Sequence, residues 1–240
     1  MNDRTLWAFG CSHTYGHGLK DCITEKNGAP PIPSQLGYAS ILAKKLNLPL
    51  KNLSRPGVGN KHIFFRLQQE ISKNTIRSND IILVQWSYIE RNCIIQSIDT
   101  PDERHFFSTD KEDSVKMLAP WVKDKTSKLF YKSLYNEVDA VWHTVNYINL
   151  AHAILKGNGI NDTLHIAPPY GGKNMDGGNP AVRGRGLWDI FVKKNYFLDD
   201  IPMCKQEITA MVVDKALDNA HPGPKTQQIY ADYLFDNFYN

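Results

Sequence analysis

Two short apolar runs, each bounded by residues that stop a strand, constrain this chain more than any other feature. Residues 5–9 read Thr-Leu-Trp-Ala-Phe and end at Gly10, and residues 81–86 read Ile-Ile-Leu-Val-Gln-Trp directly after Asp80. Runs of this length are too short for a buried helix and fit strands covered on both faces. Between them, Tyr38, Ile41, Leu42 and Leu46 recur at helical spacing. Residues 50–53 then offer a second strand, ended by Pro56, Gly57 and Gly59, and Ile63, Phe64, Leu67 and Ile71 repeat the helical pattern. Strands alternating with amphipathic helices predict an α/β chain, a three-layer α/β/α sandwich around a central, mostly parallel sheet.

The second half continues less regularly. Residues 97–125 are polar without a sustained period and read as an insertion. From 129 to 155, Leu134, Val138, Val141, Val145 and Ile148 mark one long helix, which Gly157 would stop. Residues 163–167 form a further strand closed by Pro168 and Pro169. A second insertion, 170–205, carries several glycines with Trp188, Phe191, Tyr196 and Phe197. Gly223-Pro224 then opens a helix bearing Ile229, Tyr230, Tyr233, Leu234 and Phe238, with proline at a favourable first-turn position. The whole, residues 1–240, reads as one domain with two insertions.

Composition narrows the function classes. Hydrophobic residues at 42% and charged residues at 22% suit a globular core and argue against disorder or coiled coil. A formal net charge of only +3, with no dense basic run, argues against nucleic acid as a partner. No apolar run approaches membrane-spanning length, and the stretch before Gly10 is too short for the core of a signal peptide. Cys11, Cys22, Cys93 and Cys204 form no Cys-x-x-Cys pair, which predicts reduced thiols. The expected location is the cytoplasm; a virion component released by lysis would look the same. Oligomeric state is not legible.

Chemistry concentrates at the two ends of the chain. In Phe9-Gly10-Cys11-Ser12-His13-Thr14-Tyr15-Gly16-His17-Gly18, Gly10 ends a strand and Ser12 follows at the turn. There its hydroxyl can be exposed and its N–H can face a developing oxyanion. The same segment also suits a glycine-rich turn whose serine only caps a helix. In Asp218-Asn219-Ala220-His221-Pro222-Gly223, an acid stands three residues before a histidine. A serine hydroxyl needs an adjacent base, which His221 could supply while Asp218 holds its other ring nitrogen. Alternatively, Asp218 caps the last helix from an exposed turn.

Taken together, the first segment resembles the opening block G-D-S-x-T-x-G-x-G of the SGNH (GDSL-like) hydrolases, and the second resembles that family's closing D-x-x-H-P. Gly10, Ser12, Thr14, Gly16 and Gly18 match the first block, with Cys11 in place of the aspartate; Asp218, His221 and Pro222 match the last. The resemblance implies the flavodoxin-like SGNH fold and a Ser12–His221–Asp218 triad. It also implies a serine esterase that works through an acyl-enzyme, with small acyl groups such as acetyl on a carbohydrate as a favoured substrate class.

The family's second block ends in a glycine whose N–H binds the oxyanion, and Gly59, with Asn60 beside it, stands in the similar position here. The third block, G-x-N-D, departs: Ser87 takes the glycine position and Ile89 the asparagine position. Isoleucine donates no hydrogen bond, so Gln85, Ser87, Arg91 or Asn92 would have to substitute. Losing one oxyanion donor typically costs about 10²–10³ in rate. This departure keeps a second function open, an inactive binding or structural domain on the same fold, for instance in a virion. His13, His17, Arg91 and Trp188 are the candidate substrate contacts. His13 and His17 have a spacing used by metal ligands, but Gly16 and Gly18 oppose a regular helix and a third ligand such as His62 has no support, so neither metal nor cofactor is expected.

Overall fold

The computed structural model describes residues 3–22, 32–95, 115–168 and 200–240. Strand β1 (Leu6–Phe9) is followed by the single-turn helix α1 (Ser12–Tyr15), α2 (Tyr38–Lys45), β2 (Leu50–Asn52), α3 (Asn60–Ser72) and β3 (Ile81–Gln85). Then come β4 (Asn92–Ile95), β5 (Val115–Leu118), α4 (Lys125–Ser133), α5 (Glu137–Gly157), β6 (Thr163–Ile166), β7 (Met203–Cys204), a 3₁₀ turn at Ile208–Met211, and α6 (Pro224–Phe238). Five strands form one sheet in the order β2-β1-β3-β6-β7, and every pairing in it is parallel. This is the 2-1-3-4-5 doubly wound order, in which ligands bind outside the carboxyl ends of β1 and its neighbour, where the winding reverses.

Alternation along the strands assigns the layers. Trp7, Phe9, Ile82 and Val84 point to one face and pack with Ile63 and Leu67 of α3 and Val141, Val145 and Ile148 of α5. Leu6, Ala8, Ile81 and Leu83 point to the other, against Tyr38 and Leu42 of α2 and Tyr230 and Leu234 of α6. The predicted three-layer α/β/α sandwich is therefore the observed one. A strand buried on both faces has no polar side to expose, which is why these strands read as unbroken apolar runs.

The amino-terminal edge is locked by Asp80, which is buried. Its Oδ1 accepts from the Thr5 N–H at 2.8 Å, and its Oδ2 accepts from Trp7 Nε1 at 2.9 Å and the Arg77 N–H at 2.9 Å. Burial alone would raise this carboxyl, but those hydrogen bonds and the Arg77 charge hold it below the usual range.

Three features differ from the sequence expectation. The stretch from 97 to 125 contains a strand: β5 pairs antiparallel with β4, Cys93 opposite Met117, as a separate two-stranded sheet. The single helix expected over 129–155 is two, because Asn136 caps α5 by accepting from the N–H groups of Val138 and Asp139. Within the glycine-rich loop after β1 lies α1. Most of the second insertion, including Trp188, lies outside the described residues. All four cysteines are free and buried.

His165 of β6 is buried, with its Nδ1 accepting from Trp86 Nε1 at 3.3 Å and its ring 5.8 Å from that of His152. Burial, reinforced by the His152 charge, pushes its pKa down to about 3. The folded pKa is depressed, so the unfolded chain binds the extra proton. His165 thus removes stability as pH falls from the ordinary histidine value towards its folded value, by up to about 1.4 kcal/mol per pH unit. Urea unfolding of the wild type between pH 4 and 6.5 is expected to weaken with acid, and His165→Gln is expected to flatten that slope by about one proton's worth. An unchanged slope in the variant would remove His165 as the cause.

Candidate active site

The loops after β1, β2 and β3, which carry residues 10–12, 57–60 and 85–87, meet at the carboxyl edge of the sheet. The Arg55 N–H donates to the Gly10 carbonyl at 3.1 Å, and Asn52 Nδ2 donates to the Thr14 carbonyl at 2.9 Å. Beneath Ser12, Gln85 Oε1 accepts from Thr14 Oγ1 and from the Tyr38 hydroxyl, each at 2.7 Å. This buried triangle pins α1 to the end of β3 and to α2.

Ser12 is the first residue of α1, with Cys11 extended before it (φ −102°, ψ −154°). At such a helix start the N–H of Ser12 has no acceptor within the helix. Cys11, at the position of the family's aspartate, is buried among Trp7, Phe9 and Val58. Ser12 Oγ is itself buried and bonds to no described residue. The hydroxyl–imidazole bond of a working triad is therefore not made in this conformation.

The closing segment folds back onto this loop. The Leu217 N–H donates to the Gly18 carbonyl at 3.0 Å, and the Ala216 N–H donates to the His221 carbonyl at 2.9 Å. Gln227 joins the pieces: its Oε1 accepts from the Tyr38 N–H at 2.9 Å, and its Nε2 donates to the Pro222 carbonyl at 3.3 Å. His221 Nδ1 and Asp218 Oδ2 are hydrogen-bonded at 2.6 Å, and Asp218 Oδ1 accepts from the N–H groups of Ala220 and His221. Burial raises the Asp218 carboxyl, but these bonds and the His221 charge bring it below the usual range, so it stays ionised. Asn219, at the tip of this turn, has a positive φ of 56°, a conformation asparagine tolerates. Asp218 does not cap α6. That task falls to Asp214, which accepts from the N–H groups of Lys225 and Thr226 at 3.0 and 2.8 Å. Asp214 was not singled out from sequence, since its partners lie eleven and twelve residues on.

His13 and His17 flank the imidazole of His221, with ring centroids at 5.6 and 4.9 Å. The His17 N–H also donates to the Ser12 carbonyl at 3.0 Å, so the first and last segments share one cluster. Burial first, then the His221 charge, lowers the pKa of both, that of His13 well below the ordinary value. Both are neutral at pH 7. His13 Nε2 is hydrogen-bonded to the Tyr88 hydroxyl at 3.3 Å, a partner sequence reasoning missed.

The candidate oxyanion donors divide. Asn60 is committed: its Oδ1 accepts from the Ser87 N–H at 2.6 Å, and its Nδ2 donates to the Ser87 carbonyl and to Thr144 Oγ1. Gln85 lies buried in its triangle, with Nε2 unpartnered among the described residues. Ser87 Oγ accepts from Arg91 Nη1 at 3.4 Å. Gly59, the N-cap of α3, packs so closely that a Cβ there would fall 2.4 Å from the Arg91 carbonyl oxygen. Ile89 packs against the core. The Arg91 guanidinium lies over the rings of Tyr88 and Trp121 at 4.5 and 5.0 Å. His62 is buried on α3 and does not join the His17 cluster.

Gly18 sits at φ +84°, and a Cβ there would lie 2.4–2.7 Å from the Asp218 carboxylate atoms. Gly18→Ala is therefore expected to displace Asp218 and break its bond to His221. The strongly downfield imidazole N–H proton of that bond, observed by ¹H NMR, should vanish in Gly18→Ala and Asp218→Ala but persist in Ser12→Ala. Its persistence in Gly18→Ala would refute this packing argument.

No protein-family model matches the chain, and no curated protein matches it. Solved structures do. A member of the lipolytic G-D-S-L family from Veillonella parvula DSM 2008 superposes with a TM-score of 0.52 at 12% identity, over 98% of both chains. The lipase Lip_vut3 from a goat rumen metagenome gives 0.51 at 11% identity, again over 98% of both. The psychrotrophic esterase EstA from Pseudoalteromonas sp. gives 0.50 at 12% identity, over 98% of this chain and 96% of its own. Identities this low speak for the fold alone. The chain has the SGNH (GDSL-like) hydrolase fold.

Proposed function

We propose that the chain is a serine esterase of the SGNH type, with Ser12 as nucleophile, His221 as general base and Asp218 as the group that orients it. The observation carrying this reading is the 2.6 Å bond between His221 Nδ1 and an ionised Asp218, next to a loop that holds a buried serine hydroxyl with no partner among the described residues. In the reaction, Ser12 Oγ attacks the ester carbonyl carbon while His221 Nε2 takes the hydroxyl proton. The imidazolium is stabilised by Asp218. His13 and His17, neutral and hard to protonate, leave that proton on His221. The carbonyl oxygen, now negative, is met by the N–H groups of Ser12 and Gly59. Collapse expels the alcohol, which takes the proton from His221, and water then releases the acid by the same steps in reverse.

This geometry requires Ser12 Oγ to come within hydrogen-bond reach of His221 Nε2, a bond that substrate-free sites commonly leave long or unmade. An acetyl group on a carbohydrate is the substrate class we propose, with Arg91 and Trp188 as candidate contacts. We read residues 1–240 as a single domain.

A second reading has its own support. Ile89 stands where the family places its asparagine donor, and the hydroxyl–imidazole bond is unmade. An inactive sugar-binding domain would fit both. Hydrolysis of p-nitrophenyl acetate separates the two readings: turnover is expected in the wild type and should drop at least about a hundredfold in Ser12→Ala. Equal rates in the two proteins would reject the esterase.

A further inference from the structure

His17 is the side chain for which the hydrolytic scheme has least use. Its ring stands edge-on to that of His221 at 4.9 Å, and its Nδ1 is buried without a hydrogen-bond partner among the described residues. His17, Asp218 and His221 each offer one donor atom, a ring nitrogen or a carboxylate oxygen, and these atoms lie within 4.8 Å of one another. Two imidazoles and a carboxylate are a donor set that zinc accepts while keeping a fourth position open. Zinc–nitrogen bonds of about 2.0–2.1 Å at tetrahedral angles set donors about 3.3 Å apart. Modest rotations close that gap, since the Asp218 and His221 side chains retain 28% and 19% of their exposure.

We propose that His17, Asp218 and His221 form a binding site for a zinc-class divalent cation, and that its occupancy switches the site off. The inhibitory effect does not depend on which nitrogen of His221 is used. A cation on Nδ1 fixes the tautomer whose ring proton sits on Nε2, so that no lone pair remains there for the serine proton, and a cation on Nε2 occupies that lone pair directly. Either way His221 stops being a base. His13 stands outside this donor set, with its Nε2 hydrogen-bonded to the Tyr88 hydroxyl. The inhibition rests on the esterase reading; the metal site itself does not.

Titration with Co²⁺, followed by its visible ligand-field absorption, tests the site directly in both the wild type and Ser12→Ala. Saturation at one Co²⁺ per chain is expected in both, with displacement by Zn²⁺. Affinity should fall at least about tenfold in His17→Gln and in His17→Ala, with circular dichroism confirming that each is folded. In the wild type, ester hydrolysis should fall as Zn²⁺ is added and return on chelation. The site is overturned if Co²⁺ does not saturate, or if both His17 variants bind it as tightly as the wild type. Full hydrolysis at saturating Zn²⁺ would overturn the inhibition. A chelated wild type with no hydrolysis would refute the esterase reading, and the Co²⁺ titration would still decide whether the metal site exists.

Discussion

Because β1 and β3 are covered by helices on both faces, their side chains are almost wholly apolar, and groups capable of chemistry collect in the loops leaving their carboxyl ends. Several polar side chains that enter the interior near that edge are held by partners. Gln85 receives two hydroxyls, and the Asn60 amide is spent on Ser87 and Thr144. Such pairings are what make burial of these groups tolerable. They also decide which groups remain available to a substrate: at this edge Ser12 Oγ is buried yet unpaired among the described residues.

Residues from opposite ends of the chain cooperate here through backbone contacts. Leu217 bonds to Gly18, and Gln227 links the start of α2 to Pro222. The Asp218 carboxylate fills the volume where residue 18 has no side chain. The glycine at 18 thus has a local reason in its positive φ and a distant one in the acid packed against it. The same arrangement brings His17 into contact with the dyad, so the geometry proposed to serve a serine base also gathers a metal-type donor set.

The layer order and most elements were legible because their causes are local. The apolar runs of β1 and β3, the periodicity of α2 and α3, and the Gly223-Pro224 start of α6 each carry their signal within a few residues. The pairing of His221 with Asp218 was legible for the same reason, being a contact three residues apart. What sequence missed depends on distant partners or on competition between neighbours. The β4–β5 ribbon exists only as a pair, and neither strand carries an unbroken apolar run, since Asn92 and Lys116 interrupt them. Asn136 broke one helical period into two helices because its side chain outcompeted helix continuation. Asn60 looked like a free donor until Thr144, eighty-four residues away, was seen to share its amide. Asp214, rather than Asp218, proved to cap α6 because the chain doubles back between them.

In the proposed esterase the hydroxyl at position 12 and the imidazole at 221 act as one unit. Labelling with a fluorophosphonate, followed by peptide mass mapping, tests this without assuming a natural substrate. A single adduct on Ser12 is expected, formed at a rate that drops sharply in His221→Gln. An adduct on another residue, or labelling of Ser12 that proceeds equally fast without His221, would contradict it.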